Sequence, residues 1–323
     1  GGVVVVRVVS VVLVLVLVVS GCHRRYGPGV ELEDQLEEII RQSGISRDAQ
    51  VLQMSIFADY LDVMTSYQGK LQTLSLELGE LELYEVTDQQ GVRVRGSVPL
   101  SQFDVSGLIA RYREVLDGGR CENPRVYDMI TPAGYHALTT TCKNKDDISE
   151  RPFEDSGTVD GVGVPDFPDP FDPEQVAALG RVLPKVLPQG GALTSWTVWL
   201  STISIGQQAD GMWATDIWGK PCKTTVATIS SGPPVNVKCD SDPNMTPETE
   251  LPPTFLLSDY DPGFALEVAG QIKAETGLDV TRDVFPDGSY LHFASNDGVN
   301  LYWELSTARL GLAQHPGGVI APK

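Results

Sequence analysis

Residues 121–142, CENPRVYDMITPAGYHALTTTC, carry a cysteine at each end and the turn signal Thr131-Pro132-Ala133-Gly134 near the middle. Between cysteine and turn, Arg125–Ile130 and Tyr135–Thr141 read as strands. A hairpin returns its two ends side by side, within the short Cα separation that a disulfide requires. The pattern recurs at residues 222–239, where Ser230-Ser231-Gly232-Pro233 separates Lys223–Ile229 from Val235–Lys238. Pairing Cys121 with Cys142, and Cys222 with Cys239, is therefore expected among the three ways of joining four cysteines. On the chain-entropy model each loop of about 20 residues contributes about 3 kcal/mol. No CxxC occurs and none of these four cysteines adjoins a histidine in sequence, so no metal site is expected there.

Outward from the two hairpins, the same order of elements appears twice. Phe103-Asp104, Phe171-Asp172 and Tyr260-Asp261 each place an aromatic before an Asp N-cap, with Pro173 and Pro262 at the first helical position. Leu108 and Val176 stand where the aromatic can staple. One helix is expected to stop at Pro184 and another at Gly277. The first helix, Glu31–Ser43, buries Leu32, Leu36, Ile39 and Ile40, while its acidic face reads as solvated. Strands are expected at Val51–Phe57, Leu61–Ser66, Leu71–Leu78, Leu81–Val86 and Val92–Arg95, and later at Asp279–Val284, Ser289–Ala294 and Val299–Leu305. Residues 151–170, RPFEDSGTVDGVGVPDFPDP, lack periodicity and read as a Pro/Gly/Asp-rich linker. The expected fold class is α+β: two similar halves, 23–150 and 171–323, each an antiparallel sheet with helices on one face and a disulfide-stapled hairpin.

The chain begins with an apolar run, VVSVVLVLVLVVSG at residues 8–21, behind the single charge of Arg7. It ends in Val19-Ser20-Gly21-Cys22, which resembles the lipobox of bacterial prolipoproteins: an aliphatic residue, two small residues, then cysteine. The resemblance covers residues 1–22 only. It implies a signal peptide cut before Cys22, acylation of that cysteine (palmitate included), and a lipid anchor on the extracytoplasmic face of the cell membrane. A retained transmembrane anchor is the rival reading, with Arg24 and Arg25 holding the rest in the cytoplasm. Disulfides persist in oxidising compartments, which favours export.

The chain has 24 Lys and Arg against 43 Asp and Glu, a net charge of −19. Nucleic acid and anionic headgroups are therefore not expected partners. No Gly-x-Ser-x-Gly, Ser-x-x-Lys or His-Glu-x-x-His occurs, and no cofactor is expected. Asp240, Asp242 and Asn244 match the start of a calcium loop, but Met245 and Leu251 stand where it needs Gly and Glu. His136 and His292 fall in strands and read as structural residues unless a Ser and an Asp join them. Four tryptophans, Trp196, Trp199, Trp213 and Trp218, fall within 23 residues. On a strand 196 and 199 face opposite ways, as do 213 and 218, so the cluster is a candidate aromatic binding platform. These readings favour a non-enzymatic binding module for an envelope protein, peptide or glycan of the cell wall. The alternatives are an envelope hydrolase with a spatially assembled site and a carrier of an amphiphilic ligand.

Overall fold

The computed structural model describes residues 27–87, 95–143, 151–153, 157–164, 169–201, 205–227, 237–240, 253–311 and 314–323. Residues 1–22, most of Val92–Arg95 and the candidate calcium string beyond Asp240 lie outside them.

The first half opens with α1 (Gln35–Ser43), closed by Gly44 in the left-handed region. A four-strand meander follows: β1 (Gln50–Phe57), β2 (Tyr60–Tyr67), β3 (Lys70–Glu77) and β4 (Glu80–Glu85). Its three two-residue turns, Ala58-Asp59, Gln68-Gly69 and Leu78-Gly79, all have positive φ at both positions. Such turns match the right-handed twist of the flanking strands. The short β5 (Val98–Pro99) pairs with β1. Then come α2 (Val105–Asp117) and the hairpin of β6 (Pro124–Ile130) and β7 (His136–Cys142). Asp104 caps α2 by accepting from the Gly107 amide at 2.9 Å.

The second half repeats this order. It runs α3 (Pro173–Val186), β11 (Ser195–Leu200), β12 (Ile205–Thr215), β13 (Pro221–Ala227), β14 (Val237–Asp240), α4 (Phe264–Thr276), β15 (Tyr290–Ala294), β16 (Leu301–Ser306) and β17 (Gly317–Ile320). With β9 (Gly157–Val159) and β10 (Val162–Val164) at its edge, the first sheet has the order β4-β3-β2-β1-β6-β7-β9-β10, and across the second it is β14-β13-β12-β11-β15-β16-β17. All of these ladders are antiparallel. In each half the first meander strand takes the centre and pairs with the strand that follows the second helix. The fold is thus α+β with two similar halves.

Several elements depart from the sequence-based expectation. Residues 151–170 are not all linker. β8 (Arg151–Pro152) pairs with β7, and β9 (Gly157–Val159) with β10 (Val162–Val164) forms a hairpin on the edge of the first sheet. Its turn, Asp160-Gly161, again has two positive φ values. α3 runs through Pro184 to Val186, because a proline in the last turn sacrifices only one helical bond. α4 begins at Phe264; Asp261 instead accepts from the Gly263 amide in a turn before it. Asp279–Val284 is turn rather than strand, since the Asp279 carboxylate accepts from the amide and hydroxyl of Thr281.

The halves share a core. Met129, Ala137, Val159 and Val164 of the first sheet pack with Val176, Leu179, Val182 and Val186 of α3 and with the second-half interior. Thr131 Oγ1 donates to the Lys185 carbonyl at 2.6 Å, and Lys185 pairs with Asp160. The second half thereby covers part of the first sheet's outer face, opposite α1 and α2.

The bridge Cys121–Cys142 is formed, with Cα atoms 5.7 Å apart. Cys222 is also disulfide-bonded. Thr224 lies opposite Cys239 in the ladder, and the side chain of Cys239 lies outside the described residues. Replacing Cys121 and Cys142 together by Ser is expected to cost about 3 kcal/mol. Urea denaturation beside the parent measures it; a midpoint unchanged by the double substitution would show that the loop is already constrained in the unfolded chain.

Candidate functional site

α1 packs on β2, β3 and β4, and α2 packs mainly on β1 and β6, reaching the Cys142 end of β7 through Val115. A groove of about 640 Å³ opens between the N-terminal half of α2 and β6–β7. Leu108, Val126 and Leu138 give it apolar walls, and Thr140 and Thr158 add hydroxyls. Gln102, Asp104, Arg111, Asp128, His136 and Thr139 complete a mixed lining, and such a volume suits a small ligand or one side chain of a larger one.

At its floor lies a histidine–carboxylate pair. Alternation along β6 puts Val126, Asp128 and Ile130 on the inner face, so Asp128 is buried where an apolar residue is the rule. The register sets Ile130 opposite His136. His136 reaches diagonally to Asp128, its Nδ1 being 3.0 Å from both carboxylate oxygens. Phe103 packs edge-on against the imidazole, ring centroids 5.0 Å apart. Burial pushes the Asp128 carboxyl above its ordinary value; His136 opposes that shift, and Asp104 adds a weak repulsion. A carboxylate on Nδ1 places the proton there and makes Nε2 the acceptor. No hydroxyl or thiol among the described residues is hydrogen-bonded to this imidazole. The pair can therefore hold a ligand N–H or O–H, or take a proton from one.

His292, the other strand histidine, is hydrogen-bonded to a hydroxyl rather than to a carboxylate. Its Nδ1 lies 3.0 Å from Thr197 Oγ1 on the outer face of the second sheet, and burial holds its pKa below the ordinary value. Ser195 bonds instead to Asp210, at 2.9 Å, so Ser, His and Asp do not join there.

The tryptophans do not form one platform. Trp196 faces inward with 0% exposure, stacked on Phe293 and edge-on to Phe264, its Nε1 donating to Gln207 at 2.9 Å. It is core and unavailable to a partner, which corrects its reading as a binding residue. Trp199 faces the other way and meets Tyr290 at the end of β11. Trp199 and Trp213 are half-buried, whereas Trp218 is 37% exposed at the β12–β13 turn. Cys22 lies outside the described residues. Asp128 was missed in the sequence; an Asp flanked by Val126 and Ile130 at strand spacing was the available signal.

No family model and no curated protein matches the chain. Among solved structures, it is similar at 14% identity and a TM-score of 0.14 to PF-8, the DNA polymerase accessory subunit of Kaposi's sarcoma-associated herpesvirus, covering 91% of this chain and 96% of that one. The β subunit of DNA polymerase III from Pseudomonas aeruginosa gives 12% identity and a TM-score of 0.15, covering 92% and 67%. The Helicobacter pylori β clamp in complex with carprofen gives 12% and 0.15, covering 93% and 64%. TM-scores of this size carry no structural argument.

Proposed function

We propose that the chain is a membrane-anchored extracytoplasmic lipoprotein, attached through Cys22, that acts as a non-enzymatic binding module for a protein, peptide or cell-wall ligand. The groove beside α2 carries this reading: it offers apolar walls and, among its polar lining, an imidazole, His136, held by Asp128 where it can meet a ligand's hydrogen-bond donor. One observation favours a second reading, an envelope hydrolase. An imidazole oriented by a buried carboxylate is the base half of such a site, which would then use water as nucleophile.

A photo-crosslinking residue at Leu138, 41% exposed at the groove, tests the binding reading against the same residue at Val284, 72% exposed elsewhere. In intact cells a discrete adduct is expected at position 138 and none at 284. Thr158→Arg, which fills the groove, should remove it. Equal labelling at both positions would discard the groove. Cys22→Ala should release the chain from the membrane. If the variant stays membrane-bound and keeps residues 1–21, the segment is an anchor and the lipoprotein reading fails.

A further inference from the structure

A second pocket, about 470 Å³, lies on the outer face of the first sheet where the β12–β13 turn of the second half meets it. Ile217 packs there with Leu52, Met64 and Val86. The neighbouring Trp218 stands at the rim. Its position is fixed by Asp216, whose carboxylate accepts from the amides of Trp218, at 2.9 Å, and Lys220, at 2.8 Å.

The notable group in this pocket is Arg95. Its Nε is buried and has no partner among the described residues. Its polar contact within the described residues is from Nη2 to the sulfur of Met129 at 3.3 Å, and a thioether is a weak acceptor. Burial drags its pKa down to about 10. The other two charges of the pocket, Lys70 and Glu85, satisfy each other at 3.2 Å. Among the described residues, one positive charge is left without a counter-ion. A guanidinium taken out of water without a carboxylate is costly, and it persists where it serves a bound anion.

We propose that this pocket is a binding site for a small organic anion, whose carboxylate pairs with the Arg95 guanidinium while its apolar part packs between Trp218 and Leu52. The planar fork of donors matches a carboxylate or phosphoryl group in two-point fashion. The volume admits a small molecule rather than a chain segment. Residues from both halves line the pocket, so the ligand would tie the two together. This site is separate from the groove at His136, and either can stand without the other.

Benzoate, inorganic phosphate and benzylamine, titrated calorimetrically into the full chain in detergent, test the assignment. Benzoate is expected to bind at roughly millimolar concentration. Arg95→Gln should weaken it by about tenfold or more, and Trp218→Ala, an exposed change that leaves the fold intact, by about threefold. Benzylamine should not bind. Phosphate competing with benzoate would keep the site and assign it to phosphoryl groups as well. The proposal is overturned if neither anion binds, if benzylamine binds as benzoate does, or if Arg95→Gln leaves benzoate affinity unchanged. Arg95→Met gives a readout without ligand. Relieved of its buried charge, the empty variant should melt above the parent; a lower melting temperature would make Arg95 a structural residue and sink the proposal.

Discussion

Trp196→Ala is expected to lower the stability of the chain by about 3–5 kcal/mol, the range for truncating a large buried aromatic. The indole has no exposure, and it fills the space between the second sheet and α4. Removing it strips Phe264 and Phe293, which also pack on each other, of one ring partner each. It also leaves the side-chain oxygen of Gln207 buried without its donor, an added cost of about 1–3 kcal/mol where no water enters. Trp218→Ala should cost no more than about 0.5 kcal/mol, because that side chain sits at a turn in contact with solvent. Urea melts of both variants beside the parent measure the contrast. Equal small losses would mean that the second half holds together without its aromatic centre.

That contrast marks what strand alternation reveals. Spacing alone says that Trp196 and Trp199 face opposite ways, and they do. It does not say which face becomes core. That depends on Phe264, Val268 and Ile272 of α4, which arrive about 70 residues later in the chain and cover the Trp196 face. The paired halves were legible because turns and caps are local: Asp104, Gly44 and the residue pairs between meander strands act within a few residues. The β9–β10 hairpin was obscured by its composition. Pro, Gly and Asp around it resemble a linker, although Val159-Asp160-Gly161-Val162 is itself a hairpin signal. β17 was missed for a related reason. Its glycines are poor strand formers, but a Cβ at Gly318 would stand 2.6 Å from Trp303 Nε1, so the packing demands a residue that propensity disfavours.

The groove was harder to see than the fold. Asp128 and His136 are only eight residues apart, yet their meeting depends on the five-residue turn that sets Ile130 opposite His136. A shift of one residue would turn the imidazole to the other face. Arg95 gave no signal at all, since its surroundings come from β1, β3, β4 and the distant β12–β13 turn.

His136→Leu is expected to destabilise the chain by about 3 kcal/mol at neutral pH, because it leaves the buried Asp128 without its partner. Leucine keeps most of the packing on Phe103, so lost volume contributes little. The pH dependence separates charge from packing. Burial already raises the Asp128 carboxyl above its ordinary 3.8, and the native state therefore holds that proton more tightly than the unfolded chain does. The stability linked to it is fully present below that ordinary value and is lost as pH rises through the raised pKa. In the parent, His136 opposes the shift and limits the loss. Without the imidazole the shift grows, so the variant should regain most of its stability toward pH 4 and lose it toward pH 7. Replacing both residues, Asp128→Leu with His136→Leu, should return the chain near the parent at neutral pH, since an apolar pair needs no counter-charge. Urea midpoints across this pH range for the three proteins decide it. A loss in His136→Leu that does not change with pH would show that the imidazole matters for its contact with Phe103 rather than for the carboxylate beneath it.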